Sequence, residues 1–177
     1  MFFIFIILHL FLILNQRIYP FVDMPSHLAA ATIFRYYNEP TNQFEKYYSI
    51  DMFPKPNIFY ILFCSLKIFP SVEFANKIFL CIYAILLPLS VLLIIKKMKG
   101  NLWFSLLSFL FLYNFNLGWG FVNFIISIPF ILLFIYFLID YHHKKDIKGK
   151  VILTVFFLFL FLLHALAALF SLFSLLF

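Results

Sequence analysis

The chain has 177 residues, of which 66% are hydrophobic and 11% charged, with a formal net charge of +6. An ordinary soluble domain carries about 25% charged residues, and the mean hydropathy here is +1.06. With 29 Phe and several apolar runs of membrane length, the composition excludes a soluble globular protein, a disordered tail, a disulfide scaffold and a nucleic-acid binder, and predicts an all-α polytopic membrane protein.

In chain order, the first element expected is a helix over Met1–Tyr19, ending before Pro20, about 28 Å long at 1.5 Å per residue and able to cross if Arg17 snorkels. This run has no basic n-region and no nearby cleavage pattern, so it reads as an uncleaved anchor rather than a signal peptide. Further spans are expected at Ile78–Ile95, Leu102–Tyr113 (extended to Asn116), Trp119–Ile139 and Val151–Phe177, with kinks at Pro88 and Pro129. Asn57–Phe69 reaches only about 20 Å as a helix and contains Lys67, which predicts an interfacial helix. The chain stops inside the apolar run SLFSLLF, which predicts a longer protein beyond Phe177.

Charge fixes the expected orientation. Lys96, Lys97 and Lys99 crowd one short loop, and Lys144, Lys145, Lys148 and Lys150 another, as cytoplasmic loops do. About five spans, with residues 20–77 as an outer loop carrying interfacial helices, put both lysine loops and the amino terminus inside. The neutral turn Tyr113–Gly120 then faces outward.

The outer loop holds the most concentrated chemistry. Asp23 precedes a helix-prone stretch, LAAATIFRYYN, and suits an N-cap with Pro25 in the first turn. The same carboxylate is placed to take a proton or hold a cation, and His27 lies one turn on along the same face. Lys55, between Pro54 and Pro56, suits a lipid phosphate at headgroup depth. Glu73 and Lys77 read as an i,i+4 surface pair. Cys64 and Cys81 fit no metal or redox spacing and read as packing residues. His9 and His164 are intramembrane titratable groups; both are read as packing, His164 beside the small residues Ala165, Ala167 and Ala168. Asn114, Asn116, Trp119 and Asn123, with Tyr60, are candidate site-lining residues; an interfacial aromatic belt explains Trp119 and Tyr113 equally well. His142 and His143 read as solvated.

Two stretches, DMPSHLAAATIFRYY (23–37) and KPNIFYILFCSLKIFPSVEFANKI (55–78), together resemble the beginning of the GT-C membrane glycosyltransferases, especially the protein O-mannosyltransferases and the aminoarabinose transferases of lipid A. The resemblance covers about the first 100 residues. It implies a single transmembrane domain that is the amino-terminal part of a longer GT-C module, in a bacterial inner membrane. The implied reaction moves a sugar from a polyprenyl-phosphate donor at the outer face to a lipid, glycan or protein acceptor. Asp23 matches the family's first-loop acid, the catalytic base or carboxylate ligand of a divalent metal, and Lys55 the lysine near the carrier phosphate. The chain departs from the pattern in having Met24 where a Glu often follows the Asp, and His27 where an aromatic stands.

The expected partners are membrane lipid, the lipid-linked donor and a membrane-protein partner. The rival readings are a transporter or flippase subunit for a lipid-linked substrate and an inactive assembly partner. The topology gives the first prediction: in intact cells, Met98→Cys resists an impermeant thiol reagent and becomes reactive on permeabilisation, whereas ready labelling of intact cells overturns the five-span orientation.

Overall fold

A computed structural model describes residues 1–17, 19–51 and 53–175. Among these residues every regular element is helical. They are α1 (Phe2–Asn15), α2 (Met24–Arg35), α3 (Phe59–Ser65), α4 (Val72–Lys97), α5 (Phe115–Trp119), α6 (Val122–Lys144), α7 (Ile147–Leu163) and α8 (Ala165–Ser174), with 3-10 helices at Phe44–Lys46 and Leu102–Phe111. Three segments, Val72–Lys97, Leu102–Trp119 and Val122–Lys144, are long and apolar enough to cross a membrane.

The bundle is organised by α4 and α6, which run parallel. Near their amino-terminal ends both reach α3, where the Tyr60 hydroxyl donates to Asn76 Oδ1 at 2.9 Å and the Tyr60 backbone N–H donates to Asn123 Oδ1 at 3.1 Å. At the other end Lys97 Nζ lies 2.6 Å from Asp140 Oδ2, donates to the Tyr136 carbonyl and sits 3.4 Å over the Tyr136 ring. Both helices continue through their prolines, Pro88 and Pro129. A proline costs one ladder bond and crowds the preceding turn, and helix neighbours offset that cost inside a packed bundle.

α1 lies antiparallel to α4. Lys77 Nζ donates to the Leu14 carbonyl at 3.0 Å, while Phe2 and Phe3 share a cavity with Leu92 and Trp103 at the opposite end. The helix stops at Asn15 rather than running to Tyr19, giving about 21 Å. Its end is consumed locally: Asn15 Nδ2 donates back to the Phe11 carbonyl and the Tyr19 hydroxyl to that of Ile13. Phe3, Ile4, Ile7, Leu8 and Phe11 stay exposed on its outer side, an apolar stripe that a lipid environment covers.

The interfacial helix expected over Asn57–Phe69 contracts to the seven residues of α3. That is about 10 Å, far short of a crossing. α3 packs on α2 and α4, with Tyr60 and Cys64 fully buried. Beyond it the chain turns, and Arg35 from the end of α2 donates to the Leu66 and Phe69 carbonyls.

Leu102–Phe111 is wound as a 3-10 helix, an unusually long one. At about 2.0 Å per residue its ten residues reach about 20 Å, a third more than an α-helix would. Ser105 and Ser108, both buried, return their hydroxyls to the carbonyls three residues back. Such small residues let a helix approach its neighbour closely, and this segment packs on α4. Trp119 ends α5 instead of opening the next span, which begins at Val122.

The largest departure is at the carboxyl end. One long span is expected over Val151–Phe177, of which Leu176 and Phe177 lie outside the described residues. Instead the helix breaks at His164, whose backbone is extended at φ −163° and ψ 131°. α8 folds back, so that Leu172 and Leu175 share a cavity with Leu153, Phe157 and Tyr141. His164 makes the reversal by serving both helices: its N–H donates to the Leu160 carbonyl, and its Nδ1 accepts from the Leu166 N–H at 3.3 Å.

The Lys97–Asp140 pair generates a stability prediction. The Lys97 side chain is 14% exposed and that of Asp140 42%, so Lys97→Met strands a partly screened carboxylate and the Tyr136 carbonyl. The expected loss is roughly 1.5–3 kcal/mol, read as a lower thermal midpoint in detergent. Lys55→Ala, which breaks an exposed pair, is expected to cost less than about 1 kcal/mol.

Candidate functional site

At the end of the bundle opposite the lysine loops, four separate pieces of chain meet around a cavity of about 230 Å³. Its walls are Asp23 and His27 from the start of α2, Asn57 from the loop before α3, Phe121 to Phe124 from the start of α6, and His164 from the α7–α8 break.

Asp23 is held by its backbone. The Val22 N–H donates to the Gly118 carbonyl at 3.1 Å and the Asp23 N–H to the Trp119 carbonyl at 3.0 Å, a short ladder between the residues before α2 and α5. The next residue in that turn, Gly120, has φ +84°, and a Cβ there would stand 3.0 Å from the Met24 nitrogen and 3.1 Å from the Asp23 nitrogen. Glycine is required twice over, for conformation and for space.

Asp23 occupies the N-cap position of α2, as its place before a helix-prone run predicts, but its carboxylate makes no capping bond. The first turn is closed by the Asp23 carbonyl, which accepts from the His27 N–H and the Ser26 hydroxyl. The side chain is therefore left to the cavity, half-buried beside His27. Burial lowers the His27 imidazole below its usual 6.5, and the Asp23 carboxylate opposes that shift. Because the unfolded chain takes up the His27 proton at a higher pH than the folded chain, this group's contribution to stability is present above about pH 6.5 and is lost as the pH falls below it. The His27 ring packs edge-on to Tyr60, with centroids 5.7 Å apart.

Asn123 lines the cavity and braces it. Its Nδ2 donates to the Asn57 carbonyl at 3.0 Å while its Oδ1 accepts from the Tyr60 N–H, so one amide ties α6 to both ends of the Asn57–Tyr60 turn. Tyr60 is buried beneath the site and lines none of it. Asn114 caps α5 by accepting from the Leu117 N–H and donates to the Tyr83 hydroxyl. Trp119 contributes its carbonyl to the ladder, and neither it nor Asn116 is among the cavity walls.

Lys55 is not brought to Asp23's cavity. It lies 3.2 Å from Asp51 Oδ2, both side chains more than half exposed. The Phe53 N–H and then Lys55 lower the Asp51 carboxyl below its ordinary value. Glu73 and Lys77 do not pair either, since Lys77 is turned to the Leu14 carbonyl.

His164, read from sequence as a packing residue, is the functional candidate that sequence reasoning passed over. With its Nδ1 accepting from the Leu166 N–H, the neutral ring carries its proton on Nε2. His9 stays remote, stacked on Phe109 and 3.1 Å from the Tyr113 hydroxyl. Cys64 and Cys81 are free and buried. Among the described residues no group of three or more His, Cys, Asp or Glu side chains is arranged to hold a metal ion. Asp23 thus lacks a converged ligand set among the described residues.

No protein-family model, curated protein or solved structure matches the chain.

The Asp23–His27 coupling is directly measurable. Asp23→Asn removes the charge that holds the His27 pKa up, so the imidazole titrates at a still lower pH than in the parent chain. Histidine carbon–proton NMR spectra across a pH series check this; an unmoved or raised midpoint shows that the two groups are not electrostatically coupled.

Proposed function

We propose that the chain is a multi-pass membrane protein whose Asp23 cavity performs glycosyl transfer from a lipid-linked sugar phosphate. The membrane reading rests on the three long apolar segments and on lysine loops gathered at the end of the bundle away from Asp23. In this reading α1, α4, Leu102–Trp119, α6 and α7 cross, α8 returns part of the way, the amino terminus is cytoplasmic and the cavity opens at the outer face.

The observation that carries the transfer reading is a carboxylate at a helix start with no capping duty, beside an imidazole whose burial disfavours its proton, in a cleft at the end of the bundle away from the lysine loops. Glycosyl transfer from a sugar phosphate breaks the bond between the anomeric carbon and the phosphate oxygen as the acceptor oxygen bonds to that carbon. The acceptor proton goes to a base, and the leaving phosphate keeps the electron pair. Asp23 supplies the base, directly or through His27. The leaving phosphate faces the Nε2–H of His164 and the start of α6, a 23-residue helix whose first turn has no side-chain cap and whose N–H groups favour an anion. Lys55 matches the sequence pattern for a phosphate partner but stands on Asp51, so this reading gives its role to His164 and α6.

A second reading, transport of a lipid-linked substrate, is favoured by one observation: α7 breaks at His164 within an apolar run and puts a polar ring beside a cavity. Discontinuous helices of this sort line transporter sites.

The test uses the full chain in proteoliposomes, with a polyprenyl-phosphate hexose as donor and product release of polyprenyl phosphate as readout. Asp23→Asn is expected to lower turnover by about 10²–10⁴ with membrane insertion unchanged, and His164→Leu to lower it without altering the pH limb set by the base. Turnover unaffected by Asp23→Asn overturns the transfer reading. Movement of a labelled lipid-linked hexose between leaflets without turnover favours transport.

A further inference from the structure

The other side of α2 carries a second cavity, about 210 Å³, whose lining includes Arg17, Met24, Glu73, Asn76 and Lys77. Tyr19 lines it and also lines an apolar groove of about 360 Å³ between α1, α4 and the stretch that holds Leu112, Tyr113 and Leu117. Leu12, Ile13, Leu80, Tyr83 and Leu112 form much of that groove. A basic mouth therefore adjoins a hydrocarbon-walled slot at the ends of two apolar helices.

We propose that this is a binding site for an anionic glycerophospholipid, its phosphodiester between Arg17 and Lys77 and one acyl chain in the groove. Charge complementarity identifies the headgroup. Two cations face one carboxylate, Glu73, and among the described residues the ion pairs are Lys55–Asp51 and Lys97–Asp140, so Glu73 neutralises neither. Lys77 is preorganised by its bond to the Leu14 carbonyl, with the rest of its ammonium available. Asn76 uses its Oδ1 on Tyr60, which leaves its amide N–H groups as further donors at the same mouth. Charge-assisted bonds to phosphate are the strong ones, and basic pockets between membrane helices hold anionic headgroups.

The groove identifies the rest of the ligand. A free phosphate would satisfy Arg17 and Lys77 and leave the slot empty, whereas a slot of this lining facing a bilayer is filled by hydrocarbon rather than water. A zwitterionic lipid fills the slot but adds a cation to a mouth that is already positive. The anionic phospholipid satisfies both halves and fills the space between α1 and α4. This inference needs the membrane reading and none of the transfer chemistry.

The test is native mass spectrometry of the delipidated full chain, titrated with phosphatidylglycerol or with phosphatidylcholine of the same acyl composition. A one-to-one phosphatidylglycerol adduct is expected at a concentration at least tenfold below that needed for phosphatidylcholine, and unaffected by an equal concentration of inorganic phosphate. Arg17→Gln, at an exposed position with no described bond to lose, is expected to bring phosphatidylglycerol to the phosphatidylcholine level. Leu12→Trp, which narrows the groove and keeps the charges, is expected to weaken both lipids. Lys55→Gln and the transfer-deficient Asp23→Asn are expected to bind as the parent does. Equal binding of the two lipids, full preference in Arg17→Gln, or displacement by inorganic phosphate overturns the assignment.

Discussion

Two backbone hydrogen bonds, Val22 to Gly118 and Asp23 to Trp119, join segments almost a hundred residues apart, and the geometry of the Asp23 end of the bundle follows from them. They set the turn after α5 directly against the start of α2, at a distance only a glycine at position 120 permits. Once Gly120 is in the left-handed region, the chain enters α6 with Phe121 to Phe124 facing Asp23 and His27. Asn123 then reaches Asn57 and Tyr60, which fixes α3 under α2. The backbone groups of Val22, Asp23, Gly118 and Trp119 that make this ladder are thereby paired with one another, as buried polar groups must be.

The same economy explains the break at His164. An extended residue inside an apolar helix frees carbonyls and N–H groups that lipid cannot satisfy. Here the imidazole accepts from Leu166, the His164 carbonyl accepts from Ala167 and Ala168, and its own N–H closes onto Leu160. A leucine at this position would offer no acceptor to the first turn of α8. The reversal carries the ring to the rim of the Asp23 cavity and packs it edge-on to Phe124 at 5.2 Å, so one side chain both ends a helix and furnishes a site.

Much of the scaffold was legible in the sequence. α4 and α6 stand near the expected spans because a long apolar run with a cap or basic flank at its end has no other stable arrangement in lipid, and Lys97 and Asp140 meet because the two lysine loops share an end. The helix after Asp23 follows from Pro25 and the alanines behind it. What escaped were features set by tertiary contacts. No proline or glycine marks the break at His164, and its small neighbours suit a straight helix as well as a turn. The 3-10 winding of Leu102–Phe111, in a segment that packs on α4 and buries Ser105 and Ser108, is not dictated by spacing alone. Lys55 carries the same proline flanks whether it faces a phosphate or, as found, the aspartate one turn earlier.

Tyr60 links the two cavities that flank α2. Its ring meets His27 on the side of the Asp23 cavity, and its hydroxyl donates to Asn76, which lines the basic cavity on the other side of α2. Met24 and Tyr60 are both buried between the two cavities, with the Tyr60 hydroxyl 3.4 Å from the Met24 sulfur. A close-packed interior transmits displacement rather than absorbing it, and Asn76, Tyr60 and His27 form one continuous run of contacts beneath α2. The two faces of α2 thus differ in charge: Asp23 with two histidines on one, and Arg17 and Lys77 against the single carboxylate of Glu73 on the other, with one fully buried phenol between them. Neither side of α2 can be repacked without moving the phenol on which the other side rests.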